Sequence, residues 1–176
     1  MCEVAVATAI LAMAIVSLAE LFGIAAVSNR RARDATYAAV LAFQKMEQLR
    51  GLVYVFDSEG VAVTDTITDT AVVPAAPDGG TGLSASPADA LARNTAGFVD
   101  YLDASGTSRG GGASVPAGTV YIRRWSIEPA PDNPGNLLVL QVLVRPLRSD
   151  RAADRCGAGR MPDEARVVGA RARKAI

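Results

Sequence analysis

From Val4 to Ala19 no side chain is charged, and the apolar character resumes after Glu20 and runs to Val27. Glutamates bracket the uncharged stretch, Glu3 in front and Glu20 behind. Residues 3–27 as a helix would be roughly 37 Å long at about 1.5 Å per residue, enough to cross a hydrocarbon core about 30 Å thick. Val4 to Val27 is therefore read as a transmembrane helix. After Arg30, Arg31 and Arg33 the pattern becomes amphipathic, with Ala32, Ala35, Ala39, Ala42, Met46, Leu49 and Val53 at spacings of three and four. Tyr37, Val40, Leu41 and Phe43 widen that stripe, and Lys45, Glu47, Gln48 and Arg50 take the other face. This is the signature of a helix packed along one side. No proline separates the two halves. The pattern predicts one helix of some fifty residues, with Gly23 and Ser28-Asn29 as the places where it could bend.

Past Val53 the helical period stops. Asp57, Ser58, Glu59 and Gly60 favour a turn, and residues 61–118 read as a long, irregular, acidic connection carrying Pro74, Pro77, Asp78, Gly79, Gly80 and Pro87. One short strand is expected within it, from Phe98 to Leu102, and Gly110-Gly111-Gly112 reads as a flexible loop. Strand patterns then follow. Val120–Glu128 places Tyr121, Trp125 and Ile127 on one face, and Leu138, Leu140, Val142 and Val144 form the apolar face of the next. The turn-rich link from Pro129 to Gly135 predicts that these two pair antiparallel. Glu164–Ala172 is the weakest strand pattern, Arg166, Val168 and Ala170 alternating with Val167 and Gly169. The fold class is α+β: a long N-terminal helix, hydrophobic and then amphipathic, packed on a small C-terminal antiparallel sheet of three or four strands. The expected divisions are 1–27, 28–53, 54–118 and 119–176, the last forming a globular head with 28–53.

Charge is balanced over the 176 residues but segregated along them. Residues 51–118 hold eight acidic side chains against two arginines, and residues 145–176 hold nine basic against four acidic. Solvated faces of one small domain account for both, with a basic tail touching nucleic acid or anionic lipid as the sharper alternative. Cys2 and Cys156 lie at opposite ends of the architecture, so no disulfide is expected between them, and Cys156 is either a free thiol or paired between chains. The chain has no histidine, which removes the commonest general base and metal ligand. No phosphate-binding loop is present, and Asp65 with Asp69 and Asp100 with Asp103 match no calcium-loop spacing. They read as solvated turn carboxylates. No cofactor or metal is expected, and enzymatic activity is the least favoured class.

A carboxylate at the head of a membrane-length helix costs a few kcal/mol unless a cation meets it. With that helix in front of a variable loop and an antiparallel sheet, the chain resembles the type IV pilin and type II secretion pseudopilin superfamily. The residues that carry the resemblance are Glu3-Val4-Ala5-Val6-Ala7 opening the run through Ile10-Leu11-Ala12, and Gln44-Lys45-Met46-Glu47-Gln48-Leu49-Arg50, which is similar to the helix of minor pilins and pseudopilins. The resemblance implies a non-enzymatic subunit of the bacterial inner membrane, single-pass, its C-terminal domain in the periplasm or on a surface fibre. It implies that Glu3 meets the methylated N-terminal amine of a neighbouring subunit during assembly. Partners would be other pilin or pseudopilin subunits, bound through the N-terminal helix. Family precursors carry a short basic leader ending in Gly and an aromatic first mature residue, whereas Met1-Cys2 directly precede Glu3. A leader and a prepilin peptidase site upstream are therefore expected, an unprocessed chain being the alternative. A basic leader would also reverse the cytoplasmic orientation that Arg30, Arg31 and Arg33 alone suggest. Glu20 lies about 100° round the helix from Glu3 and is read either as solvated near the interface or as an inter-subunit partner of the Arg30–Arg33 cluster. The competing class is a membrane-anchored periplasmic binding module unrelated to fibres.

Overall fold

The computed structural model describes residues 2–156 and 161–174, with the side chains of all but 152–156. Helix α1 runs from Cys2 to Gly51 without a break, through both Gly23 and Ser28-Asn29. Alanine, leucine and methionine dominate it, and these lose little side-chain freedom in a helix. The hydroxyls of Thr8, Ser17 and Thr36 turn back onto the carbonyls four residues earlier, so its few polar side chains satisfy themselves locally. Residues 2–33 are exposed throughout, and burial begins only with the second half. There the buried residues are Ala38, Leu41, Ala42, Lys45, Met46 and Leu49, a strict three-four spacing.

That stripe is rotated from the one expected. Val40 and Phe43 are exposed, while Lys45 faces the core with no accessible surface. Its charge had placed Lys45 on the outer face. A buried counter-ion reverses that assignment.

The chain continues through β1 (Tyr54–Phe56), β2 (Ala62–Thr64), β3 (Val99–Leu102), β4 (Ser108–Gly111), β5 (Tyr121–Pro129), β6 (Leu137–Pro146), α2 (Leu147–Cys156) and β7 (Ala165–Ala172). Five strands form one antiparallel sheet in the order β4-β3-β5-β6-β7, one more than the three or four expected. β1 and β2 make a separate hairpin. The β5–β6 register aligns Trp125 with Val142 and Ile127 with Leu140, so alternate residues of both strands fall on one face. Leu41, Ala42, Met46 and Leu49 of α1 bury against that face, in a core that includes Trp125, Ile127, Leu140, Val142 and Val144. On the opposite face Val99, Tyr101 and Ile122 make a smaller cluster with Leu147, where α2 begins.

Two expectations for residues 54–118 are corrected. Gly110-Gly111-Gly112 is not a free loop, because Gly110 and Gly111 pair with Tyr101 and Asp100 as edge strand β4. A Cβ on Gly111 would stand 2.7 Å from the Val99 carbonyl oxygen, and Gly110 and Gly112 have φ of 112° and 101°. Glycine is needed there for close approach and for positive φ. Nor is Asp100 a solvated turn carboxylate. It is fully buried in β3.

The helix-sheet junction and the bare N-terminal helix

The two ends of α1 meet opposite environments. Glu3 sits in the first turn, where the unpaired amide groups of a helix start favour a negative charge. It is exposed, as is Glu20, and the whole stretch from Val4 to Val27 stands clear of the head. By length and composition α1 is able to cross a membrane, and none of its most apolar stretch is buried. Glu20 and Arg30 are separated by about 15 Å of helix rise, so Glu20 does not reach the arginine cluster of its own chain.

The second half of α1 is fastened by an ionic knot. Asp100 accepts from Lys45 Nζ at 2.8 Å and, in a fork, from Arg123 Nε at 2.9 Å and Nη2 at 2.7 Å. Arg123 Nη1 also donates to the Leu41 carbonyl at 3.0 Å, and Lys45 Nζ to that of Thr70. Lys45 Nζ lies 4.2 Å from the centre of the Trp125 ring, a favourable cation–π placement. Helix, β3, β5 and the 65–98 segment are thus tied at one point. Two cations share one carboxylate, and burial outweighs the attraction of Asp100: it lowers Lys45 to about 8, with the Arg123 charge adding to the effect. Buried ion pairs of this kind hold geometry more than they add net stability.

A second knot lies on the sheet's other face. Arg124 pairs with Asp150 of α2 at 2.6 Å and donates to Asn94 Oδ1, and Arg145 binds Glu164 at 2.8 Å. The end of α1 is capped from β7: Arg171 donates to the carbonyls of Leu49 and Leu52. Arg173 stacks over Tyr54, 4.0 Å from the ring centre, and donates to the carbonyls of Val55, Val63 and Gly135. Much of the basic C-terminal stretch is therefore spent inside the head.

Of the acidic side chains in residues 54–118, Asp57, Asp65, Asp69 and Asp103 bind backbone amides in turns. Hydrogen bonds from the Ser105 hydroxyl and the Thr107 amide hold Asp103 at about 2. Cys156 closes α2, and its thiol lies outside the described side chains. The sequence reading missed both knots, because it took every charge in the head as solvated. The usable signal was arginine at 123 and 124, in the middle of a strand that otherwise alternates apolar residues.

Comparison with protein-family models, with curated proteins and with solved structures finds no match for this chain. Function is argued from its own residues.

Proposed function

We propose that this chain is a pilin-like structural subunit, of the minor pilin or pseudopilin kind. It inserts in the bacterial inner membrane through Val4–Val27 and joins a type IV pilus or type II secretion pseudopilus, its head lying in the periplasm or on the fibre. One observation carries the reading: an acidic residue opens an unbroken helix whose first half is wholly bare and whose second half forms the core of the head. A bare apolar half-helix needs an apolar surround, and a carboxylate at its tip then needs a cation. The head cannot supply one, because α1 carries Glu3 far from every basic residue of its own chain. A neighbouring subunit's N-terminal amine would meet the need, with methylation of that amine and a prepilin peptidase acting on an upstream leader as parts of the same reading. Two further features support assembly. Val40 and Phe43 keep an apolar strip on the outer side of α1 within the head, and Glu20 is free to meet Arg30–Arg33 of another copy. The rival reading, an anchored binding module using its basic C-terminal strand, is weakened because Arg171 and Arg173 are engaged by internal carbonyls.

The test is Glu3→Ala in cells that build the fibre. The variant should reach the membrane at normal level and be absent from, or fail to support, assembled fibres. Normal assembly with Glu3→Ala would refute the role of Glu3 and leave the anchored module as the better account.

A further inference from the structure

Where α1 leaves its apolar half, Val27, Arg30, Arg31 and Asp34 fall on one helical face, three and four residues apart. Asp34 is already matched, pairing with Arg148 of α2. Arg148 also reaches Asp163 at 3.4 Å, and Asp163 accepts the Ser149 hydroxyl at 2.6 Å. One turn nearer the span, Arg30 and Arg31 are exposed, and no carboxylate among the described residues pairs with either. These two, with Arg148 opposite, border a groove of about 430 Å³ between α1 and the head, and Val27, Met161 and Pro162 give it an apolar wall.

We propose that this groove seats the phosphodiester headgroup of an anionic phospholipid belonging to the bilayer that α1 crosses. Depth fits. Arg30 and Arg31 lie about 4.5 and 6 Å beyond Val27 along the axis, and the headgroup layer is some 5–7 Å thick on each side of the hydrocarbon. Chemistry fits as well: planar guanidinium groups bind phosphate oxygens in forks, while the apolar wall continues from Val27 into the span, where an acyl chain lies. Charge gives the selectivity, since anionic lipid attracts juxtamembrane arginines and zwitterionic lipid does not. The proposal rests on residues 4–27 crossing a bilayer and not on fibre assembly.

The experiment uses the full chain reconstituted in phosphatidylcholine vesicles, with spin-labelled phosphatidylglycerol or spin-labelled phosphatidylcholine as the probe. The motionally restricted fraction of each lipid is read by electron spin resonance. Phosphatidylglycerol should be preferred by at least about threefold at low salt, and the preference should fall as salt is added. Arg30→Gln with Arg31→Gln should bring it close to one, with the near-ultraviolet dichroism of Trp125 unchanged, whereas Arg93→Gln in the head should leave it intact. Millimolar glycerol phosphate should not displace the lipid, and displacement would overturn the bilayer as its source. Equal restriction of both lipids by the native chain, or undiminished preference in the double variant, would overturn the site. No restricted lipid of either kind would instead remove the span on which the proposal stands.

Discussion

Lys45 carries its charge to the centre of the head, and its acid–base behaviour follows. In the folded chain burial lowers it to about 8 from an ordinary 10.5. Between those values the unfolded chain keeps a proton that the folded chain has released. Stability therefore rises with pH across that window, with a slope of up to about 1.4 kcal/mol per pH unit. Burial raises Tyr101 and Tyr121 above their ordinary 10.0, which works in the opposite direction above that point. The clean window is thus pH 8 to 10. Urea unfolding of the detergent-solubilised chain, followed by Trp125, should show the rise, and Lys45→Met should flatten it. Asp100→Asn is the contrasting change. It leaves Lys45 and Arg123 buried without a counter-charge and should cost about 3–5 kcal/mol; a loss below about 1 kcal/mol would mean that the knot is solvated in solution. This knot was hidden from a reading of the sequence because Lys45 and Asp100 are 55 positions apart and each, alone, has the composition of a surface residue. Only the pairing makes either of them a core residue.

Legibility at the level of elements divided by length and periodicity. β5, β6 and β7 have eight to ten residues each, long enough for alternation to declare which face is buried, and their expected bounds lie within a few residues of those found. β1, β2 and β4 have three or four residues, too few to display a period. β4 is further disguised by glycines, which argue for a loop until the neighbouring backbone is known. Helix α2 was not expected, because Leu147–Cys156 has few apolar residues and is seated by the Arg124–Asp150 pair instead of by a greasy face. The edge strand offers a direct check. Gly111→Ala presses a methyl group on the Val99 carbonyl, so amide exchange in β4 should speed up by an order of magnitude or more while β5 and β6 keep their protection; unchanged β4 exchange would mean that the edge yields without strain. At the other side of the sheet, Arg171→Met removes the donor that caps α1. Loss of charged hydrogen bonds to two carbonyls should cost about 1.5–3 kcal/mol, read as earlier fraying of residues 48–52 in amide exchange.

The molecule as a whole is one helix serving two environments, and the boundary between them can be located from burial. The first buried residue of α1 is Ala38, and the groove-lining arginines at 30 and 31 lie between it and the span. Everything N-terminal to Ser28 is exposed apolar helix with Glu3 and Glu20 as its only charges. It adds nothing to the core, so the head owes its stability to residues 38–174. A chain beginning at Ser28 should therefore be soluble and monomeric without detergent, keep the near-ultraviolet dichroism of Trp125, and unfold at the same urea concentration as the full chain. Residues 28–37 would fray, because an isolated helical end has only the Tyr37–Tyr121 contact and the Asp34–Arg148 pair to hold it. That is the physical reason to cut there and not at Ala38, where the knot itself would be exposed to fraying. Aggregation of the Ser28 chain, or a markedly lower unfolding midpoint, would mean that the apolar half packs on the head after all. The picture of a bare half-helix seeking a bilayer or neighbouring subunits would then have to be given up.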